Sequence, residues 1–269
     1  MFFSSLSIIS PSLWFISALG LAQTAVPNQI PTKKSAKATT IAAPKSTPAK
    51  KSVKTTTIGA PKSTPAKATQ PTCEDTLGQI KDATCVVKEL QSIYQAASSM
   101  TATFTQTYTY AVYQRTQISS GALFLKKPGR MRWDYQKPQS KVFVSNGDVL
   151  WVYEPEKGQA YKKSLQDSEL PIAISFLMGK GNLLDEFKPT LGAVTADTVT
   201  VNLMPLKASR HYKTLKLTVS RSSFIVEESS IVDPANNTNT VIFSNVVIDA
   251  SLPDSGFEFS PPKGVNVLR

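Results

Sequence analysis

Histidine, cysteine and, over the first quarter of the chain, acidic residues are scarce, and each scarcity excludes something. The 269 residues contain one His and two Cys, too few for structural zinc frameworks, which need four such ligands close in sequence. His211 stands alone between Arg210 and Tyr212, where a turn enters a strand, an exposed position that leaves Ser-His and Cys-His nucleophile systems without a base. No apolar run after residue 26 approaches bilayer length, which excludes a polytopic helical membrane protein. Asp and Glu are absent from residues 1–72, and the first 26 residues carry no ionisable side chain.

The missing acids account for the net charge. Lys+Arg number 30 against Asp+Glu 19, and a net of +11 taken alone suggests nucleic acid or a membrane surface. Nine of the lysines (Lys33, Lys34, Lys37, Lys45, Lys50, Lys51, Lys54, Lys62 and Lys67) fall within residues 1–72. Removing them leaves 21 basic residues against 19 acidic ones, a net of +2. The part that folds is nearly neutral, so nucleic acid is not an expected partner.

Three segments follow. Residues 1–24 resemble a secretory signal: Leu13–Ala22 is its apolar region, and the small residues Ala22 and Thr24 place cleavage before Ala25. The rival is an uncleaved anchor, since the uncharged stretch is just long enough to span, although Ser4, Ser5, Ser7, Ser10, Pro11 and Ser12 interrupt its apolar face. No Cys lies near the site, so lipid modification in the bacterial lipoprotein manner is not expected. Residues 25–72 are Pro, Ala, Lys, Thr and Ser, and Thr39–Lys50 recurs almost unchanged as Thr56–Lys67. Such a composition cannot offset its ordering entropy, and the segment reads as a disordered linker. It is a solvated spacer or, less simply, a lysine tether for anionic lipid or cell-wall polymer. Residues 73–269 form the folded domain.

That domain opens with apolar residues at three- and four-residue intervals (Leu77, Ile80, Ala83, Val86, Val87, Leu90, Ile93, Tyr94 and Ala97), the stripe of an amphipathic helix. Cys73 and Cys85 are either a disulfide, normal in an exported protein, or two buried thiols. Twelve positions apart they cannot meet on a straight helix, so a disulfide requires a break at Gly78 or near Asp82. The period then changes to two. Phe104, Gln106, Tyr108 and Tyr110 alternate with threonines, and Leu123/Leu125, Met131/Trp133/Tyr135, Val199/Val201/Leu203, Leu215/Leu217/Val219 and finally Phe257/Phe259 continue the series. These predict half-buried antiparallel strands. Glu169–Gly179, with Pro171 near its start and a glycine at its end, predicts one short apolar helix.

The Asn146-Gly147 pair predicts a hairpin in which Val144 meets Val149, Phe143 meets Leu150 and Val142 meets Trp151. Val142, Val144, Val149, Trp151 and Tyr153 then share one face, and Phe143, Leu150 and Val152 the other. Both faces are apolar, so the sheet is expected to be curved or covered on both sides. A large curved aromatic sheet with two short helices tends to leave an apolar hollow, and such hollows bind lipids or other apolar ligands. Catalysis finds little support. Asp185-Glu186 and Glu227-Glu228 are adjacent carboxylates whose side chains diverge on strands, and Gly179-Lys180-Gly181 lacks phosphate-loop spacing. A binding protein is expected rather than an enzyme, with no metal and no cofactor.

Four blocks in order carry a resemblance: Gly121–Tyr135 (GALFLKKPGRMRWDY), Val144–Pro155 (VSNGDVLWVYEP) with Gln159 following, Leu177–Gly181 (LMGKG), and Phe257–Val265 (FEFSPPKGV). The chain resembles the outer-membrane lipoprotein carrier family, LolA, over about residues 85–269. The resemblance implies a mainly β fold, an incomplete antiparallel β-barrel closed by a helical lid around an apolar cavity. It implies a periplasmic, monomeric chaperone that carries the acyl chains of lipoproteins from an inner-membrane lipoprotein-releasing ABC transporter to an outer-membrane receptor. The expected cavity lining is Leu123, Leu125, Met131, Trp133, Tyr135 and Trp151, and the expected lid residues are Ile174, Leu177 and Met178. Enterobacterial members hold the lid with an Arg at the position of Lys127. A lysine cannot reproduce a planar guanidinium fork, so lid control here is expected to be looser or to pass to Arg130 or Arg132. The alternative is an envelope-tethered lipid or lipoprotein sensor of the same fold, anchored by an uncleaved leader.

Overall fold

A computed structural model describes residues 73–74, 78–80, 82–165, 172–178 and 181–268. The leader and the linker lie outside these residues, as do Leu77 and most of the loop before the short apolar helix.

The period-two segments become twelve strands of one sheet. They are β1 (Ser99–Tyr110), β2 (Arg115–Lys126), β3 (Arg130–Lys137), β4 (Lys141–Asn146), β5 (Val149–Glu154), β6 (Gln159–Ser164), β7 (Phe187–Val194), β8 (Thr198–Pro205), β9 (Thr214–Ser220), β10 (Val226–Val232), β11 (Thr238–Ile248) and β12 (Asn266–Leu268). Their order is β12-β6-β5-β4-β3-β2-β1-β11-β10-β9-β8-β7, so β1 and β11 join two meanders at the middle of an open curved sheet. Every pairing is antiparallel except β12 with β6 at one edge. The other edge, β7, is exposed over most of its length and carries Pro189, which cannot donate to a further strand.

Curvature has local causes. The register slips between Thr101 and Thr103 against β11, and between Ser120 and Gly121 against β3, and each irregularity bends its strand. At Gly121 the strands come so close that a Cβ would lie 2.0 Å from the carbonyl oxygen of Asp134. Only glycine fits there. Alternation sorts the side chains: Ala102, Phe104 and Tyr108 of β1 are buried while Thr103 and Thr105 lie on the other face.

Helix α1 (Ala83–Ala96) lies across β7 and β8. It buries Ala83, Val86, Val87, Leu90 and Tyr94, the stripe read from the sequence. The stripe overextends at its start: the helix begins at Ala83, where the Asp82 carboxylate accepts a 2.6 Å hydrogen bond from the Cys85 amide as an N-cap. Before it the chain turns at Gly78 (φ +72°), bridges Glu74 to Ile80, and returns Cys73 to Cys85, to which it is disulfide-bonded with the Cα atoms 5.5 Å apart. Arg221 fastens this loop through Glu74 (2.7 Å) and the Gly78 carbonyl (2.6 Å). Two shorter helices follow, α2 (Ile172–Leu177) and α3 (Leu183–Glu186). The sheet has two ends. The proximal end holds the start of β1, the turns at 127–129 and 147–148, and Arg221; the distal end holds the tips at 111–114, 138–140, 155–158 and 233–237.

Two sequence expectations are corrected. The hairpin forms, but Val144 meets Trp151 and Phe143 meets Val152, two residues away from the expected register. The reason is that Asn146 precedes the turn instead of occupying it: its side-chain oxygen accepts from the amides of Asp148 and Val149, both at 3.1 Å, and Gly147 takes φ +109°. A slip of two preserves the faces. Phe257 and Phe259 do not form a strand; Asp254–Phe257 is a 3-10 turn, and the last strand is β12.

Candidate functional site

The inner face of the sheet is built by register. Leu125 pairs with Met131, Leu123 with Trp133, and Gly121 with Tyr135, while Trp133 in turn pairs with Phe143. Directly paired residues share a face, so all these side chains point inward together. Leu123, Leu125, Met131 and Trp133 are buried, and Tyr135 is partly so. The bare Gly121 leaves room for Phe104 and Tyr135 to approach each other across it, with ring centroids 4.9 Å apart. Phe104 also meets Trp133 edge-on at 4.9 Å, and Tyr135 meets Phe143 at 5.7 Å. The result is a continuous aromatic and aliphatic lining.

Among the described residues, helices are laid directly on this lining. Val86, Val87, Leu90 and Tyr94 of α1, with Phe176 and Met178, pack into one core with it. Tyr94 and Phe176 are 5.0 Å apart. Tyr94 is oriented by the Val226 amide, which donates to its hydroxyl at 3.1 Å, and burial pushes its pKa up to about 12. Leu177 packs against the same core, whereas of the lid candidate Ile174 only its place on α2 is described. A shallow groove remains at the proximal end, bounded by Tyr94, Met100, Leu125, Lys127, Leu177 and Met178.

Of the three cations considered for lid control, only Lys127 reaches the helices. Its ammonium donates to the carbonyls of Tyr94 (2.9 Å) and Gln95 (2.7 Å) in the last turn of α1. That turn contains no basic residue of its own, so the turn between β2 and β3 supplies the cation that the helix C-terminus favours. Burial draws the Lys127 pKa down, and Asp249 partly offsets this. Arg130 and Arg132 are on the opposite face of β3. Arg130 is 3.5 Å from Asp254, and Arg132 pairs with Asp134 at 2.8 Å and donates to the Gly256 carbonyl at 3.1 Å. Both arginines hold the C-terminal segment against the outer face. They are corrected as lid-control residues, because alternate residues of a strand point to opposite faces.

Trp151 is also corrected. It pairs with Val144, which pairs with Arg132, so it belongs to the outer face. There Phe259 covers it at 5.6 Å and covers Tyr153 at 5.3 Å, while Lys162 lies 5.4 Å from the centre of the Trp151 ring. The double-sided apolar hairpin is therefore covered twice, by core on one side and by the C-terminal segment on the other.

The distal end of the inner face is polar, a feature the sequence reading missed. Gln106 donates to Asn239 at 2.8 Å and accepts from the Tyr135 hydroxyl at 3.0 Å. Beyond them, Lys141 and Glu154 form an ion pair in which each side chain is only 8 % exposed, and Lys157 adds a second contact to Glu154 at 3.1 Å. Burial pulls the Lys141 pKa down and the contact with Glu154 recovers only part of the loss. For Glu154 burial acts upward, but the hydrogen bonds and charges of Lys141 and Lys157 overcome it and hold the carboxylate below its ordinary pKa. A shallow open hollow lies over this end, bordered by Gln106, Tyr108, Gln117, Tyr135, Lys141 and Glu154 among others. The signal was available: Lys141 has the inward parity of Phe143, and Glu154 that of Val152.

Other chemistry considered from the sequence remains dispersed. His211 is half-buried and accepts a 3.2 Å contact from its neighbour Arg210, and Glu228 pairs with Lys216 at 2.9 Å. Among the described residues no three His, Cys, Asp or Glu side chains gather as metal ligands. A curved sheet with an apolar inner lining, helices laid on that lining and a polar distal rim defines a mainly β protein built on one open curved sheet. The chain belongs to the LolA family: residues 95–260 match the family of the outer membrane lipoprotein carrier protein LolA. It is 25 % identical over 182 residues to an outer-membrane lipoprotein carrier protein of Chromobacterium violaceum, covering 68 % of this chain and 86 % of that protein. The corresponding protein of Nitrosomonas europaea is 27 % identical over 184 residues, covering 68 % and 88 %. Among solved structures, a LolA superfamily protein from Nitrosomonas europaea covers 66 % of this chain and 98 % of its own, with 12 % identity and a TM-score of 0.38.

Proposed function

We propose that this chain is a periplasmic lipoprotein carrier that holds the acyl chains of its cargo on the inner face of the sheet. On this reading it takes cargo from an inner-membrane ABC transporter and delivers it to an outer-membrane receptor, with residues 1–24 serving as the export signal. The observation that carries the reading is the unbroken apolar lining from Met100 and Leu125 through Trp133 to Phe143, backed by sheet and covered by α1 and α2. Because those helices fill the lining, cargo must displace them. Acyl chains substitute for Tyr94, Phe176 and Met178, each buried methylene contributing about 0.8 kcal/mol, so cargo shifts a population from helix-covered to cargo-filled. Leu177 and Met178, with Ile174, are the lid on this account, and Lys127 is the latch. No step needs a cofactor or bond chemistry.

The test incubates the mature protein with inner-membrane vesicles that carry labelled lipoprotein and an active lipoprotein-releasing transporter. The expected outcome is soluble cargo in complex with this chain, and Trp133→Glu, which puts a charge into the lining, abolishes it. No release by the wild-type chain while a known carrier releases cargo from the same vesicles refutes the carrier reading. Full release by a folded Trp133→Glu variant removes the inner face from it.

A further inference from the structure

The β1–β2 hairpin ends in a turn of unusual composition. Ala111-Val112-Tyr113-Gln114 contains none of the Gly, Pro, Asn, Asp or Ser residues that normally make turns, and Gln114 adopts φ +46° to close it. Val112 is 78 % exposed, the highest of any large hydrophobic among the described residues, and Tyr113 is 63 % exposed. Ile118, further down β2 on the outer face, is 61 % exposed. These side chains stand on a fixed base. The Ala111 amide donates to Asn237 at 3.0 Å, and Asn237 is itself held by both carboxylate oxygens of Asp233 at 2.8 and 2.9 Å. Thr109 and Thr116 join their hydroxyls across the two strands at 3.2 Å.

We propose that this tip is a membrane-contact element, which places Val112 and Tyr113 in the headgroup region of an anionic phospholipid bilayer. Charge chooses the partner. Arg115, Lys137, Lys157 and Lys213 are exposed at the same distal end, where the exposed carboxylates are Glu156 and, beside Tyr212, Glu186; Lys157 also contacts Glu154, and Asp233 is buried and engaged with Asn237. Apolar side chains at an apex with cations set behind them match a bilayer interface, where aliphatic groups enter, tyrosine sits at headgroup depth and Lys or Arg meet lipid phosphates. Place supports the choice too. The tip rises from the strands that carry Tyr108 and Gln117, two residues bordering the distal hollow, so a membrane met by the tip also faces the open end of the inner lining. The lysine-rich linker joins the domain at Cys73, which Glu74 and Arg221 fix at the proximal end, so linker and tip are separate contacts. The proposal goes beyond the carrier reading, since the tip meets the bilayer whatever the inner face holds.

The experiment uses the full chain, in which Cys73 and Cys85 are bonded to each other. An environment-sensitive nitrobenzoxadiazole dye is attached at Tyr113→Cys or, in a second preparation, at Ser222→Cys, an exposed proximal position. Each is mixed with vesicles of phosphatidylglycerol and phosphatidylethanolamine, or of phosphatidylcholine alone. The expected result is a blue shift and a severalfold emission rise at position 113 on the anionic vesicles only, with none at 222, and Val112→Asp removes most of that rise. Unchanged emission at 113 overturns the proposal, whether the protein stays free or co-sediments through its linker. Equal changes at both positions, or a rise that survives Val112→Asp, overturn it as well. The lipoprotein-release assay has a different readout, so failure here leaves the carrier reading standing, and failure there leaves the tip.

Discussion

Lys141 and Glu154 sit where the apolar lining ends, and their removal singly and together tests whether the inner face is as dry as its packing indicates. Each side chain is 8 % exposed, and Lys157, whose side chain is 54 % exposed, is the one further ionic contact of Glu154 among the described residues. Breaking a buried pair by deleting one partner costs about 3–5 kcal/mol, because the survivor is left charged in a poor solvent. Lys157 remains beside Glu154 in Lys141→Met, so that variant is expected to lose somewhat less, about 2–4 kcal/mol. Glu154→Gln leaves Lys141 with the like charge of Lys157 nearby, and about 3–5 kcal/mol is expected, moderated by deprotonation of an ammonium already drawn below its ordinary pKa. The double variant Lys141→Met/Glu154→Gln removes both charges and is expected to fall within about 1–2 kcal/mol of wild type.

The assay is urea unfolding with the slope held constant, repeated across pH. The wild-type carboxylate has a folded pKa below its unfolded value, so its stabilisation is complete above the unfolded pKa of about 4.3 and is lost as pH falls through the folded value. In Lys141→Met burial becomes the dominant influence, the folded pKa moves above the unfolded one, and the sign reverses. That variant gains stability relative to wild type as pH falls towards the unfolded carboxylate value of about 4.3. Lys141 acts at the other extreme: with its folded pKa lowered, wild-type stability rises as pH climbs from that value towards about 10.4. A Lys141→Met variant within about 0.5 kcal/mol of wild type, or a double variant no more stable than the worse single one, refutes the reasoning.

Lys127→Ala removes two hydrogen bonds to the last turn of α1. Because the group is partly exposed and screened, about 1–2 kcal/mol is expected, seen as roughly tenfold faster amide exchange at the C-terminal end of α1, with Lys127→Arg close to wild type. Gly121→Ala brings a methyl group within 2.0 Å of the Asp134 carbonyl oxygen, where only backbone movement relieves it, and a loss of about 3 kcal/mol or more in urea stability is expected.

What the sequence made legible follows from the period of its pattern. Alternation over Phe104–Tyr110 and Met131–Tyr135 identified the inward residues of β1 and β3, because one face of those strands is apolar and the other is threonine or charge. The same rule is silent where both faces are apolar. Residues 142–153 sort cleanly into two sets, and nothing within them says which set joins Trp133. That depends on the β3–β4 register, fixed by Trp133 meeting Phe143 across the turn at 138–140, and on Phe259, about a hundred residues later, covering the other side. Trp151 therefore falls on the outer face together with the face-mates that the pattern gives it. Arg130 and Arg132 fail for the complementary reason: nearness in sequence to Lys127 is not nearness in space, because the turn at 127–129 sends Lys127 to the helix and the strand sends the arginines outward. The polar rim was readable but unread, since Lys141 and Glu154 have inward parity and an inward charge on a strand demands an opposite partner. Sequence pattern thus assigns each residue to a side of its own strand; which side is inside is decided by distant chain, and at the two-faced hairpin that decision separates a residue of the candidate site from one that only fastens the C-terminus.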